Sequence, residues 1–242
     1  MRDLHSFEFD PDQRVLVLAP HPDDFECVAV TLRLFRDAGN RIDLAVLTGA
    51  ASGVEDSFCS PPTNGRKAEL REAEQRESSK RFGLPDERLV FLRLAEDESG
   101  HPEESEENVA IIRRHFEKVA PAAVFLPHPN DTNAGHRRTY RMFSSVAEQT
   151  GADIVVFLNE DPKTVGMDAD AYLAFDEEIA EWKAELLRCH RSQQVRGMNV
   201  RGYGLDERIL NVNRVAAERF DLDMPFAEVF ALEDWRCGRC SR

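Results

Sequence analysis

The sequence predicts an α/β fold: a Rossmann-like, doubly wound, mostly parallel sheet with a C-terminal elaboration. Short continuous apolar runs rich in Val, Ile and Leu recur along the chain, which is typical of parallel strands buried on both faces. Longer segments with helical patterning separate these runs, and this alternation indicates right-handed βαβ units. The 242 residues suffice for one such domain, so we expect a single domain over residues 1–242.

Five apolar runs are the predicted strands of this sheet, in chain order. They are residues 15–19, 42–47, 89–92, 122–126 and 154–158. In a Rossmann-like order of 3-2-1-4-5, the first and fourth strands are neighbours. Residues 228–232 are a candidate last strand.

The helices are predicted from apolar spacing and from the residues that border each segment. The first four are 27–38, 67–82, 106–119 and 134–149. Gly39 and Gly83 follow two of them as expected for helix C-termini, and Ser105 precedes the third as an N-cap. Two more helices, 177–190 and 206–220, flank a segment that contains Gly197, Gly202 and Gly204, which we predict as a loop.

Composition excludes several classes of function. A net charge of −14 argues against nucleic acid or an anionic membrane as the main partner, because both are polyanions. No apolar run approaches the roughly 20 residues of a membrane span, and the N-terminus lacks the apolar core of a signal peptide. The five cysteines are an odd and scattered set, which favours a reducing cytoplasm. Cys237 and Cys240 form a single C-x-x-C pair, which we interpret as free thiols.

Histidine and aspartate cluster after the first and fourth predicted strands. The first loop reads PHPDDFE, residues 20–26, and the second reads PHPNDTNAGHRRTY, residues 127–140. In open α/β sheets, ligands bind beyond the carboxyl ends of the strands where the strand order reverses. The strand order would bring both clusters to that point. Imidazole and carboxylate side chains together suit a metal ion that keeps an open position for water.

Other sites at this position fit less well. A dinucleotide site needs a glycine-rich first turn, whereas this turn holds two acids that would repel phosphate. The G-x-S-x-G and H-E-x-x-H motifs are also absent from the sequence. Either Asp23 or Asp24 could instead cap the helix that follows.

These motifs resemble the PIG-L/LmbE-like family of zinc-dependent N-acetylglucosamine deacetylases. PHPDDFE matches the longer form of the family's first motif, and DTNAGHRRTY places His136 at the end of its second motif. The segments LREAEQRESSKRFGL (70–84) and WKAELLRCHRSQ (182–193) extend the resemblance over most of the chain in the same order.

The resemblance implies specific roles in a zinc-dependent N-deacetylation. His21, Asp24 and His136 would bind Zn²⁺, and Asp23 would act as the general base. Arg71 aligns with a substrate-contacting arginine, although a solvated helix residue is the equal alternative. For His128 and Asp131 we expect a positioning role toward a ligand side chain.

The second motif departs from the family pattern. It commonly reads His-Pro-Asp-His, whereas this chain has Asn133-Ala-Gly-His136. Asn133 would therefore stand where a catalytic histidine usually assists, and Gly135 would replace an aspartate that steadies that histidine. Asn133 is thus a candidate catalytic residue, with helix capping as its alternative role.

The favoured function is a cytoplasmic zinc deacetylase that removes an N-acetyl group from an N-acetylglucosamine-containing small molecule. A metal-dependent amidase acting on a non-sugar amide is a second hypothesis. A non-catalytic binding module that retains a metal is a third. Members of the family that it resembles are often homo-oligomers, so a homo-oligomer is possible, but the sequence leaves open the oligomeric state, the natural substrate and the metal used in the cell.

Overall fold

The structure, a computed structural model, describes residues 1–7 and 10–235. Cys237 and Cys240 lie outside the described residues. Within the described part, the strands are β1 (Arg2–Asp3), β2 (Arg14–Ala19), β3 (Arg41–Val46), β4 (Leu89–Phe91), β5 (Ala123–Pro127), β6 (Val155–Asn159), β7 (Ala171–Phe175) and β8 (Phe226–Asp234). The α-helices are α1 (Ala29–Asp37), α2 (Asn64–Phe82), α3 (Glu106–Val119), α4 (Ala134–Thr150), α5 (Glu177–Leu187), α6 (Arg191–Arg201) and α7 (Leu205–Arg219).

All the strands join one mixed sheet in the order β1-β7-β8-β6-β5-β2-β3-β4. The five predicted strands form a continuous block of parallel pairs in the predicted order 3-2-1-4-5, which confirms the predicted α/β fold, and β1 pairs in parallel with β7 at the far edge. Central β2 pairs with β3 on one side and β5 on the other, so Val17 lies between Leu44 and Phe125. The loops after β2 and β5 therefore leave the same edge of the sheet from adjacent strands.

Both faces of the sheet are covered, which explains the continuous apolar runs. On β2, Val15 and Val17 belong to one buried cluster, and Leu16 and Leu18 belong to the cluster on the other face. Successive side chains of a strand point to opposite faces, so a strand that is covered on both sides needs apolar residues at nearly every position. Arg14, at the exposed start of β2, is the polar exception.

The C-terminal elaboration continues the sheet with antiparallel pairs. The strand β8 pairs with β6 and β7, both antiparallel, and is longer than the predicted 228–232. We did not expect β7, whose buried and half-buried residues alternate and so give no continuous apolar run. The segment predicted as a loop around Gly197 is helix α6, which has few buried residues. Every helix in the described residues is too short or too polar to cross a bilayer.

A buried lysine ties the C-terminal strand to the loop after β2. Lys183 is fully buried, and its Nζ donates to Glu228 Oε1 and Cys27 O, both at 2.7 Å, and to Asn213 Oδ1 at 2.9 Å. The Glu228 carboxylate also accepts hydrogen bonds from the backbone N–H groups at the start of α1. A carboxylate is favourable at a helix N-terminus, and the lysine balances its charge.

Lys183→Met is expected to lower the free energy of unfolding by about 3–5 kcal/mol, because it leaves the Glu228 carboxylate buried without its counter-ion. The matched control Lys118→Met, at an exposed position on α3, should change it by no more than about 0.5 kcal/mol. Urea unfolding measures both. Adding Glu228→Gln should recover part of the loss, and equal stability of Lys183→Met and the wild type would contradict the assignment.

Candidate metal centre and active site

The loop after β2 holds two adjacent aspartates in different environments. Asp24 Oδ2 accepts a hydrogen bond from the His21 backbone N–H at 2.8 Å and lies 3.0 Å from His21 Nδ1. Asp24 precedes the short 3-10 helix Phe25–Val28, but its side chain makes no capping bond there. The carboxylate is directed to the histidine rather than to the helix.

The loop after β5 brings His136 to the same place. His136 lies in the first turn of α4 and is almost fully buried. Its Nε2 lies 3.5 Å from Asp24 Oδ1, and its Nδ1 lies 3.1 Å from Asp131 Oδ2. A carboxylate only accepts hydrogen bonds, so Nδ1 carries the hydrogen and Nε2 faces Asp24.

His21, Asp24 and His136 thus form a donor set that fits a metal. One ligand atom from each lies within 4.8 Å of the others. Two imidazoles and one carboxylate are a common ligand set for catalytic zinc, which keeps a further position open. Asp131 behind His136 supplies the carboxylate that often orients a metal-binding histidine.

The charges around His136 also favour a cation at this point. Burial opposes a charged imidazole, but the carboxylates of Asp24, Asp131 and Asp161 outweigh it and hold the pKa of His136 well above its ordinary value. Burial raises the pKa of Asp24, yet His136 and His21 bring that pKa well below its ordinary value. The group of acids therefore requires positive charge among them, which a proton or a divalent metal supplies.

Asp161 is a member of this cluster that the sequence analysis missed. It lies in the loop after β6, with Oδ1 3.9 Å from His136 Nδ1. Burial raises the pKa of Asp161 to about 6. The charge of His136 opposes this rise, and the nearby carboxylates of Asp24 and Asp131 add to it. Its position just beyond a buried strand beside β5 was the signal that could have identified it.

Asp23 faces Arg71 rather than the histidines. Arg71, on α2, is almost fully buried, and its Nη2 lies 3.0 Å from Asp23 Oδ1 and donates to Pro22 O. Asp23 has a φ of +103°, and its backbone N–H donates to Gln75 Oε1 at 3.0 Å. Such backbone conformations cost free energy and persist only where the surroundings impose them. Burial raises the pKa of Asp23, and the Arg71 guanidinium opposes part of that rise.

Asn133 is the N-cap of α4, and Gly135 lies against the first histidine. Asn133 Oδ1 accepts from Gly135 N at 2.9 Å, which leaves the side-chain amide N–H groups for another partner. A Cβ at Gly135 would lie 2.8 Å from His21 Nε2, so a larger residue there would displace the ring. The glycine in NAGH is thus required by the position of His21 in this chain.

These residues open into one cavity of about 420 Å³. His21, Asp23, Asp24, Arg71, Asn133 and His136 all line it. Side chains that the sequence analysis did not assign to the site also line it: His101, Asp161, Lys163, Arg196, Arg201 and Arg208. Of the predicted positioning residues, Asp131 contacts His136, whereas His128 lines a different cavity with Leu158 and Glu233.

Comparison with known proteins identifies a family. The family profile described as PIG-L, GlcNAc-PI de-N-acetylase, matches residues 16–147, which contain both loops of the candidate metal centre. No curated sequence matches the chain.

Solved structures share the fold at low sequence identity. N,N'-diacetylchitobiose deacetylase from Pyrococcus horikoshii has a TM-score of 0.72 and 17% identity, over 92% of this chain and 84% of that one. GalB, the 4-carboxy-2-hydroxymuconate hydratase from Pseudomonas putida KT2440, has a TM-score of 0.71 and 15% identity, over 91% and 95%. A zinc-inhibited form of the teicoplanin deacetylase Orf2 has a TM-score of 0.68 and 14% identity, over 94% and 98%.

Proposed function

Since the chain belongs to the PIG-L family of GlcNAc-PI de-N-acetylases, we propose that it is a metal-dependent hydrolase that removes an N-acetyl group from an N-acetylglucosamine-containing small molecule. The observation that carries this proposal is the cluster of His21, Asp24 and His136 beside the separate carboxylate of Asp23. Two of the structural neighbours above are deacetylases, one of N,N'-diacetylchitobiose and one of teicoplanin, which supports the same reaction class.

The two aspartates divide the work of the reaction. When bound by His21, Asp24 and His136, a divalent metal supplies a Lewis acid and lowers the pKa of water. Asp23 lies beside this cluster and takes the proton of the attacking water. It then delivers that proton to the departing amine nitrogen, so that water and the amide give acetate and an amino sugar.

Arg71 keeps the Asp23 carboxylate in place for this role. The guanidinium is buried and bound to Pro22 O and Asp23, so its position is fixed by the loop that it serves. Burial favours the protonated form of Asp23, which makes its carboxylate a stronger base than an exposed aspartate. Contact between Arg71 and the substrate, which the resemblance implies, is part of the proposal.

Acetate release tests the function. Purified protein supplied in turn with Zn²⁺, Co²⁺, Mn²⁺ or Mg²⁺ is assayed with N-acetylglucosamine, its simple glycosides and non-sugar N-acetyl amines. Metal-dependent acetate release from the sugars supports the proposal. Release only from the non-sugar amides would make the chain an amidase of another class.

A hydratase is the second candidate function. GalB shares this fold, and the name of its substrate describes a carboxylated compound. The basic residues that line the cavity favour this candidate, because they could bind a carboxylated substrate. Loss of ultraviolet absorbance from an unsaturated dicarboxylate, without acetate release from any amide, would support it.

Asn133→Ala is expected to lower kcat by about 10²–10³ and to change KM little. The amide can donate to the oxygen that gains charge in the transition state, and losing one such donor costs about 2.7–4 kcal/mol. Steady-state kinetics with the accepted sugar measures both constants. Asn133→Ser keeps a good N-cap but shortens the donor, so its stability should match the wild type while kcat falls.

A near-normal kcat in both Asn133 variants would reduce Asn133 to a helix cap. If His101→Ala lowers kcat, His101, which lines the same cavity, would be the hydrogen-bond donor to the transition state instead. His128 lies in another cavity and is the less suitable replacement. If all three variants are silent, the metal acts without a helper.

A further inference from the structure

Basic side chains line the cavity beyond the metal ligands. Arg196 and Arg201 come from α6, and Arg208 comes from α7. These helices lie beyond the family match at residues 16–147, so the arginines belong to a part of the chain separate from the shared metal-binding loops. The acidic residues that line the same cavity are Asp23, Asp24 and Asp161, and all three lie in or beside the candidate metal centre.

The three arginines lack a counter-ion within the part of the chain that the structure describes. Among those residues, none of the three guanidinium groups pairs with a carboxylate or donates a hydrogen bond to a protein acceptor, and that of Arg201 lies 6.0 Å from the centre of the Tyr203 ring. Burial and the nearby charges of Arg208 and Arg196 lower the pKa of Arg201, which shows that the like charges repel one another. By contrast, two well-exposed arginines outside the cavity do have carboxylate partners: Arg93 pairs with Glu72 and Arg141 with Glu104.

The local structure brings the arginines together. The turn between α6 and α7 is tight: a Cβ at Gly197 would lie 2.7 Å from Tyr203 O, and Gln194 Oε1 accepts from Leu205 N at 2.9 Å. This packing sets the end of α6, which carries Arg201, beside the first turn of α7, which carries Arg208. The arrangement is therefore built by the fold rather than by chance approach of long side chains.

Arg196 also reaches the reacting end of the cavity. A Cβ at Gly53 would lie 2.8 Å from Arg71 Nη1 and 3.4 Å from Arg196 Nη1. The missing side chain at Gly53 thus lets the two guanidinium groups approach one backbone position. Because Arg71 contacts Asp23, the guanidinium of Arg196 brings positive charge close to the proposed general base.

We propose that the substrate carries an anionic group, a carboxylate or a phosphate, which Arg196, Arg201 and Arg208 bind while the acetamide faces the metal ligands. Arginine is well suited to both anions because its planar fork can donate two parallel hydrogen bonds. The proposal rests on the proposed deacetylase function and adds the substrate class to it.

Three matched substrates test this inference: the neutral ethyl glycoside of N-acetylglucosamine, its carboxymethyl glycoside and N-acetylglucosamine 1-phosphate. We expect kcat/KM for at least one anionic substrate to exceed that of the ethyl glycoside by roughly tenfold to a hundredfold. Added salt should reduce this preference. The carboxymethyl and phosphate arms show which anion the site prefers.

Arginine variants connect the preference to these residues. Arg201→Gln and Arg208→Gln, alone and together, should bring the ratio of anionic to neutral kcat/KM toward one. Arg114→Gln removes the same charge from an exposed position on α3 outside the cavity and should leave the ratio unchanged. Equal turnover of neutral and anionic substrates by the wild type, or an unchanged ratio in the double variant, would overturn the inference.

A binding measurement separates this inference from the function on which it rests. Absence of acetate from every substrate would contradict the deacetylase proposal. Even then, calorimetry on the metal-loaded protein with glucosamine 1-phosphate and with glucosamine would show whether the arginines bind an anion. The anion site is supported if glucosamine 1-phosphate binds more tightly than glucosamine and if the double arginine variant loses this difference. Equal binding of the two compounds by the wild type overturns the inference.

Discussion

His136→Ala is expected to remove the bound metal and to reduce acetate release to background. Of the three proposed ligands, His136 is the most deeply buried, and it lies on α4 with Asp131 at its Nδ1 and Asp24 beside its Nε2. Removing the imidazole leaves one histidine and one carboxylate, which is too few for a stable catalytic zinc site. Metal analysis after gel filtration in metal-free buffer, together with the acetate assay, measures the result.

The same substitution has a consequence for stability. Without the imidazole, Asp131 and Asp161 lose the cationic group between them and Asp24 keeps only His21 beside it, so the metal-free variant should unfold at a lower temperature than the metal-free wild type. The matched control His115→Ala, on α3 and outside the cavity, should keep both metal and activity. A His136→Ala protein with a full complement of metal and normal turnover would remove His136 from the site.

Asp23→Asn is expected to keep the metal and to lower kcat by about 10²–10⁴, because an amide cannot take a proton from water. The substitution isolates the carboxylate well. Asparagine tolerates a positive φ about as readily as aspartate, so the backbone at +103° need not change. The asparagine side chain is also of the same size as aspartate and can still accept a hydrogen bond from Arg71 through its oxygen.

Two further results distinguish the roles of the adjacent aspartates. Asp24→Asn should lose metal, because Asp24 and not Asp23 lies between the two histidines. If instead Asp23→Asn loses the metal and Asp24→Asn retains it, the assignments are reversed. Thermal unfolding with and without metal shows whether Asp23→Asn also destabilises the fold by leaving the buried Arg71 unpaired.

The block of five parallel strands and the meeting of the two loops rich in histidine and aspartate could be predicted from the sequence because each has a strong local signal. A strand buried on both faces needs a continuous apolar run, as in residues 15–19, and a parallel sheet places its loops at one edge. The same reasoning could have reached Asp161, two residues beyond β6. It was missed because a single acid beside Glu160 looks like ordinary surface charge in the sequence.

Other parts of the fold and of the site depend on tertiary contacts that produce no recognisable pattern in the local sequence. The strand β7 alternates buried and half-buried residues, and α6 has few apolar positions and contains Gly197, so neither resembles the elements around it. The grouping of Arg196, Arg201 and Arg208 comes from the packing of α6 against α7. Arginines are frequent in this chain, and only the combination of a common cavity with the lack of a carboxylate partner among the described residues sets these three apart.

Removing and restoring the metal tests the central proposal most directly. Wild-type protein is treated with a chelator, separated from it, and assayed for acetate release from an N-acetylglucosamine glycoside before and after addition of one equivalent of Zn²⁺ or Co²⁺ per chain. We expect release to fall to background without metal and to return as the first equivalent binds, while the Asp23→Asn protein binds the same equivalent without recovering turnover. Undiminished acetate release from the metal-free wild type would contradict the assignment of His21, Asp24 and His136 as the centre of a metal-dependent deacetylase.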